Sequence, residues 1–561
     1  MVLDAEVTRS ILILYFDTRM LAMHIDITAK TIDIFHAFFT KQGREDIAES
    51  IENRRSWLRG DNTDAIGIPA PSLQLLEDLR ALCKENGNRS LMMQCTSLIN
   101  MIKNPNSAVV GSLKALPLAL MKYIENDAID GWLYQEHSGF NLPYLITNIS
   151  YKPGEKGRNG DAPAQVQIEL VANVANTSKD SKQLKRRLIC FTHEDIAGNT
   201  IPSLLLSQGL HHETPELKAE YDANNELFKA YFAADFQQFL VKDMAFSTTS
   251  YDAIGKAFDI NGGLFKVIND EPMITRKFYR ELNNKFWEDR DISSFTQIPF
   301  HPLVYCFFLE MHEHAWAHVT NMTPYVYKPE LRDKLILPED HKDLIDILTS
   351  DLSLLSDIVE GKSGGTSIMC SGKPGTGKTL TAEIYSEVIQ KPLYRVHSGL
   401  LGTTPAEVER QLQVVLTRAQ RWQCCLLIDE CDTWVRQRGN DIQQNAIVAA
   451  FLRTLEYYSG LLFLTTNRSD DIDDAILSRC IAHIKYVPPK DEQRNLLWAT
   501  LSKNYNAQLT EETILDAIEK WPDVVGRDIK ELLKLALKFA SKSNACIDMA
   551  ILTRCAQFRG L

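Results

Sequence analysis

The spacing of apolar and polar positions changes character along the chain. Up to about residue 130 it is helical: Leu75, Leu76, Leu79 and Leu82 recur on one face, with Pro69 and Pro71 breaking the chain before them. Residues 1–130 are therefore expected to be mostly helical. From about 131 to 325, stretches such as Gln165-Val166-Gln167-Ile168-Glu169-Leu170-Val171 alternate with period two, as half-buried strands do. Residues 152–164 carry three glycines and two prolines and predict an exposed connection between strands. A charged, helix-like stretch follows over 216–239, with Pro215 suited to its first turn. Residues 131–325 thus predict a mixed α/β domain, a place for partner or substrate recognition, and they contain no recognisable catalytic motif.

A connector over 325–346, punctuated by Pro338, leads into a different pattern. Short apolar runs at 366–371, 393–397, 424–428, 461–465 and 481–486 alternate with helical stretches, the signature of a parallel sheet with crossover helices. After Pro488 and Pro489 the chain reads as helix to its end, with Ile529, Leu532, Leu533, Ala536 and Leu537 on one stripe.

Composition narrows the class. A length of 561 residues suggests three or four domains at roughly 150 residues each, and 45% hydrophobic with 24% charged residues is ordinary for a soluble globular chain. The formal net charge of -12 disfavours nucleic acid and anionic membranes as partners. The clearest basic run, Lys182, Lys185, Arg186 and Arg187, is short enough to be a solvated loop or strand end. Eleven cysteines without a CxxC pair fit reduced thiols. The apolar stretch 11–16 is cut by Asp17 and Arg19, and no run of about eighteen apolar residues occurs, so neither a signal peptide nor a membrane span is expected. A cytoplasmic location is the expectation.

The first of the apolar runs passes directly into Gly372-Lys373-Pro374-Gly375-Thr376-Gly377-Lys378-Thr379, followed by Leu380. The three glycines allow a loop whose backbone N–H groups point inward at phosphate oxygens, where a Cβ would obstruct the turn or the approach. Pro374, Thr376 and Leu380 belong to the same binding segment. Lys378 supplies positive charge at the β- and γ-phosphates, Thr379 offers a hydroxyl to Mg²⁺, and a helix beginning near Lys378 adds its N-terminal partial charge. Downstream, the apolar run Cys424-Cys425-Leu426-Leu427-Ile428 ends in Asp429-Glu430. A carboxylate at a strand end, Asp429, can hold Mg²⁺ through water, and Glu430 can polarise an attacking water. Alone, such a pair would be a strand cap; downstream of a phosphate loop the catalytic reading is favoured.

Residues 326–561, some two fifths of the chain, resemble an AAA ATPase module of the AAA+ superfamily. That resemblance implies a large α/β subdomain over 326–487 and a helical lid over 488–561, binding ATP with Mg²⁺. Leu461-Leu462-Phe463-Leu464-Thr465-Thr466-Asn467-Arg468 resembles the sensor 1 strand, with Asn467 orienting the water. Asp473-Asp474-Ala475-Ile476-Leu477-Ser478-Arg479 resembles the arginine-finger segment, which implies that Arg479 reaches the γ-phosphate in a neighbouring subunit. Gly526-Arg527-Asp528-Ile529 resembles sensor 2, with Arg527 contacting nucleotide in its own subunit. Structural alternatives stand beside these roles: Arg479 as a helix cap, Arg527 as a partner of Asp528. A homo-oligomeric ring, expected to be a hexamer, follows from the resemblance.

One departure matters. Family members that thread polypeptides carry an aromatic-aliphatic-Gly triplet facing the pore, whereas the matching stretch here is Ser398-Gly399-Leu400-Leu401-Gly402-Thr403. An aliphatic loop offers less contact area per side chain, which puts continuous threading in doubt. The segment His312-Glu313-His314-Ala315-Trp316-Ala317-His318 looks like a metal site but is not HExxH; as a strand it puts His312, His314, Trp316 and His318 on one polar face. Three functions compete. The leading expectation is an ATP-driven remodeller of a protein partner, with residues 1–325 as the recognition part, able to move with nucleotide state. Its rival is an ATP-gated oligomeric sensor or switch recruiting an effector, as in bacterial anti-phage defence. A nucleic-acid motor stands third because of the charge.

Overall fold

The computed structural model describes residues 22–58, 63–69, 71–126, 128–157, 160–173, 184–248, 257–259, 263–274, 297–350, 365–438, 442–456, 458–468, 471–543 and 546–561. The apolar stretch 11–16 and Lys182 lie outside them.

The first described part joins five helices to one antiparallel pair, Ala22–Thr28 with Thr63–Pro69. Alternation drives that pairing: Met23, Ile25 and Ile27 are buried together with Ile66 and Ile68. Helix Leu73–Glu85 is capped by Ser72, whose hydroxyl accepts from the Leu75 amide, and it buries Leu75, Leu76 and Leu79.

Two antiparallel sheets follow. One has five strands, in the order Leu184–Thr192, Gln165–Asn173, Phe140–Lys152, Trp132–His137 and Leu210–His212. The exposed connection at 152–164 folds into a small hairpin, Glu155–Gly157 with Gly160–Ala162. The other sheet has seven strands, in the order Ala257–Asp259, Met244–Ser247, Glu313–His318, Leu303–Phe308, Phe265–Asn269, Gln238–Val241 and Met322–Pro324. Helix Pro215–Phe232 stops seven residues short of the sequence expectation. Phe228, Phe232, Phe236 and Phe239 mimic helical spacing, but Phe236 turns left-handed (φ 59°) and Phe239 enters the strand Gln238–Val241.

The histidine strand also departs from expectation. His312 lies before the strand with φ 57°, and Glu313–His318 is an interior strand whose two faces are both covered from Ala315 to His318. Trp316 and His318 are as buried as Ala315 and Ala317. Among the described residues no group of histidines, cysteines and carboxylates is arranged to hold a metal.

The C-terminal module, with elements numbered within it, contains β1 (Thr366–Gly372), α1 (Lys378–Val388), β2 (Leu393–His397), α2 (Pro405–Arg421), β3 (Cys425–Asp429), α3 (Ile442–Leu455), β4 (Leu461–Thr466) and β5 (Ala482–Tyr486). Its sheet is wholly parallel in the order β2-β3-β4-β1-β5. The central strands β1, β3 and β4 are buried throughout, as continuous apolar runs require when helices cover both faces. Four longer helices close the chain: Asp491–Asn504, Glu511–Lys520, Gly526–Ser543 and Met549–Gln557. They pack around Trp498, Ile529, Leu532, Leu533, Ala536 and Leu552. Among the described residues no helix is long and apolar enough to cross a membrane.

The seven-stranded sheet is not a separate body hung on the module. Ile268, Phe307 and Leu309 belong to the same buried cluster as Tyr394, Leu412, Trp422 and Leu426 of the module. At the centre of this contact Asp270 is fully buried. Its Oδ1 accepts from Trp422 Nε1 (2.8 Å), and its Oδ2 accepts from Arg421 Nη2 (2.8 Å) and meets His314 Nε2 at 2.8 Å. A second tie joins Glu387 of α1 to Tyr325 Oη (2.5 Å), Lys266 Nζ (3.1 Å) and the Lys328 amide (3.0 Å).

Candidate active site

The site forms at the C-terminal ends of β1, β3 and β4, where an open parallel sheet leaves a crevice between diverging connections. Leaving β1, the chain turns through Gly372 (φ 145°), Gly375 (φ 82°) and Gly377 (φ 103°) before α1 begins at Lys378. A Cβ on Gly372 would lie 2.1 Å from the Tyr486 carbonyl oxygen. On Gly375 it would lie 2.7 Å from Val525 and 2.9 Å from the Arg527 Cβ, so the helical lid presses directly on the loop. Thr376 Oγ1 closes the turn onto the Lys373 carbonyl at 2.8 Å.

Pro374, Gly375, Thr376, Gly377, Lys378, Thr379 and Leu380 all line one cavity of about 840 Å³, with Asp429, Glu430, Asn467 and Arg527 on its other walls. Gly372 lies beneath the loop instead, its carbonyl accepting from Lys378 Nζ at 2.7 Å. The same ammonium donates to the Lys373 carbonyl (2.8 Å) and to Asn467 Oδ1 (3.0 Å). Burial lowers its pKa, against the pull of Asp432 and Asp429. The same cavity is lined by Leu331, Leu335, Ile336 and Leu337 of the connector and by Leu497 and Leu501 of the lid. Cation and backbone donors on one part of the lining and apolar side chains on another together suit a phosphate chain carrying a flat base.

Asp429 ends β3 and is buried. Its Oδ1 accepts from Thr379 Oγ1 (3.0 Å) and Thr465 Oγ1 (2.5 Å), and its Oδ2 from Arg395 Nη2 (2.6 Å). Burial alone would raise its pKa; the Thr465 bond, the Arg395 charge and the Thr379 bond outweigh this and hold the carboxyl below its ordinary range. Glu430 follows in a left-handed conformation (φ 55°), its amide donating to Thr465 Oγ1 at 3.1 Å. That backbone conformation is uncommon for a residue with a side chain, and it sends the exposed Glu430 away from Asp429's buried surroundings.

Residues 368–487 match the family described as ATPase family associated with various cellular activities (AAA). The C-terminal region of this chain is an AAA+ ATPase module. Similar proteins include the mitochondrial sorting homolog of Caenorhabditis elegans, 29% identical over 38% of this chain and 62% of that protein. Fidgetin-like protein 1 of Xenopus laevis is 26% identical over 36% of this chain and 32% of its own length. The crystal structure of the FIGL-1 AAA domain in complex with ADP is 18% identical, covering 40% of this chain and 81% of that one, with a TM-score of 0.33. The chain thus spans less than two thirds of these curated relatives. The family match leaves the region before the AAA+ module unassigned.

Within the AAA+ module Arg479 stays outside its own chain's cavity. Its Nη1 donates to the Ala475 carbonyl (3.1 Å), and its Nη2 lies 3.8 Å from Glu456. Arg527 reaches the cavity, while Asp528 pairs with Arg559 at 3.3 Å. Of the two leucines in the stretch 398–403, Leu401 is fully buried and Leu400 is 44% exposed.

Three residues of the site were missed by the sequence reading. Thr465 bridges Asp429 and Glu430. Asp432 accepts from Thr466 Oγ1 (2.5 Å) and the Asn467 amide (2.8 Å), fixing the tip that carries Asn467. Arg395 of β2 sits on the Asp429 carboxylate. The acidic run Asp429-Glu430-Cys431-Asp432 is a partial signal for Asp432, and Thr465 lies within the stretch that resembles sensor 1; nothing local marks Arg395.

Proposed function

We propose that this protein binds and hydrolyses ATP at the subunit interfaces of a homo-oligomeric ring, and uses the cycle to remodel a protein partner. The observation that carries this reading is the convergence of Lys378, Thr379, Asp429, Glu430 and Asn467 on one cavity that is also lined by leucines of the connector and the lid. Glu430 activates the water, Asn467 orients it, and Arg479, which does not line its own chain's cavity, serves the neighbouring subunit. Lys378 exchanges its three present acceptors for phosphate oxygens, which releases Asn467 for that task. Arg527, brought to the loop by the lid's contact with Gly375, senses nucleotide in its own subunit.

The residues present fit Mg²⁺. The hydroxyl of Thr379 and the carboxylate of Asp429 are hard oxygen donors joined at 3.0 Å, and a magnesium ion keeps most of its waters and takes few protein ligands. When bound it offsets the charge on the phosphate oxygens.

A switch that assembles on ATP and recruits an effector is the second reading, and the burial of Leu401 favours it by reducing the pore-facing contact. Glu430→Gln separates the two. The variant traps ATP in either case; a remodeller then loses all output, and a switch stays active. Absence of turnover by the assembled wild-type protein would reject the motor reading. Partners captured by the Glu430→Gln protein in ATP, and lost with Lys378→Ala, would identify what residues 1–325 recognise.

A further inference from the structure

Arg395 is placed where a simple phosphate-binding site has no use for it. It projects from β2, one alternation before His397, and His397 pairs in register with Asp429. Its guanidinium donates through Nη2 to Asp429 Oδ2 at 2.6 Å, while Nη1 lies 3.9 Å from Glu383 Oε1. Its Nε is buried with no hydrogen-bond partner. Glu383 is one helical turn beyond Thr379 on α1 and therefore on the same face, and both Arg395 and Glu383 line the nucleotide cavity. One cation thus stands between two carboxylates, bonded to the first and short of full contact with the second.

Asp429 is the carboxylate that the Mg²⁺ reading requires, and both its oxygens are already committed. A guanidinium held there cancels much of the negative charge that draws a divalent cation, and it repels that cation at short range. We propose that Arg395 is a resident cation on Asp429 that sets the Mg²⁺ requirement of the site, and that magnesium binding moves it across to Glu383. In the nucleotide-free protein it spares Asp429 the cost of a buried, unpaired charge. In the loaded protein the charge count stays balanced, because Glu383 receives the displaced guanidinium.

The inference rests on the ATP-binding reading, and its test keeps the two apart. Affinity for a fluorescent ATP analogue is measured across a magnesium titration and in EDTA, for wild type, Arg395→Gln, Arg395→Lys and Glu383→Gln. In Arg395→Gln the half-saturating magnesium concentration should fall roughly tenfold, the scale of one charge-assisted bond at a half-exposed site, and the affinity ratio between magnesium and EDTA should widen. Glu383→Gln, which removes the destination, should raise the magnesium requirement, and Arg395→Lys should lie near wild type. A magnesium requirement unchanged in both Arg395→Gln and Glu383→Gln, with wild type binding nucleotide normally, would overturn this role alone. Wild-type protein that binds the analogue in neither condition would overturn the ATP reading with it. Should Arg395→Gln fail to fold, the Glu383→Gln shift decides the matter by its sign.

Discussion

Asp270→Ala attacks the contact that ties the seven-stranded sheet to the AAA+ module. The carboxylate is fully buried and serves three donors at 2.8 Å, two of them from Arg421 and Trp422 at the end of α2. Removing it leaves a largely buried guanidinium without its partner, which costs about 3–5 kcal/mol where such a pair is broken. Summing three separate bonds would overshoot, since they share one acceptor and do not add. The loss falls on one interface of a multidomain chain, so a local probe is needed rather than a single unfolding midpoint. Native-state hydrogen exchange should quicken by roughly a hundredfold or more, the equivalent of about 3 kcal/mol, at the C-terminal turn of α2 and in the strand Phe265–Asn269. The helices Leu73–Glu85 and Arg89–Lys103, remote from the contact, serve as internal controls. Asp270→Asn, which keeps the shape and loses the charge, should move the same two segments less. Exchange within about threefold of wild type at both segments would refute the reasoning, and the apolar cluster alone would then hold the interface.

Other expectations follow from single positions. Gly375→Ala must take a left-handed backbone and press into Val525 and Arg527; nucleotide affinity should drop while the lid's own core stays folded, which binding measurements and exchange of Gly526–Ser543 would separate. His318, with its pKa pushed down to about 4 by burial, stays neutral in the fold while the unfolded chain protonates near pH 6.5. Stability should therefore fall as pH drops from about 6.5 to 4, by about 3 kcal/mol from this residue alone, and His318→Gln should flatten the profile of melting temperature against pH. Leu401→Ala should destabilise the module by about 2–5 kcal/mol in chemical denaturation, as for other fully buried leucines, whereas Leu400→Ala should leave stability near wild type and alter only partner processing.

Much of the module was legible because its strands are continuous apolar runs and its phosphate loop is contiguous. The five expected runs correspond to β1 to β5, with 393–397 matching at both ends and no other end off by more than one residue. The apolar run puts Cys424 in β3, but its amide bonds back to the Ala419 carbonyl at 3.1 Å, after Gln423 turns left-handed, so it finishes α2 instead. Arg395 could not be singled out, since a lone arginine in an alternating strand looks like a solvent position. Only the parallel register of β2 with β3 delivers it to Asp429. Asp270 and Trp422 are 152 residues apart in the chain, and neither residue's local context signals the other. Hydrophobic periodicity reports which face of an element is covered, and it is silent on what covers it.

The shared cluster of Ile268, Phe307 and Leu309 with Tyr394 and Trp422 bears on how far this molecule is modular. A protein cut at residue 326 would keep every nucleotide-binding side chain and yet present a raw aromatic face, with the Phe307 ring that lies 4.7 Å from Trp422 and 5.7 Å from Tyr394 stripped away. Such a fragment should self-associate through that face, and its oligomers would say nothing of a physiological ring. Transplanting a different N-terminal region onto this module would likewise need a donor that brings its own plug for the α2 end. The seam that linear sequence draws at the connector is, in three dimensions, the middle of a core.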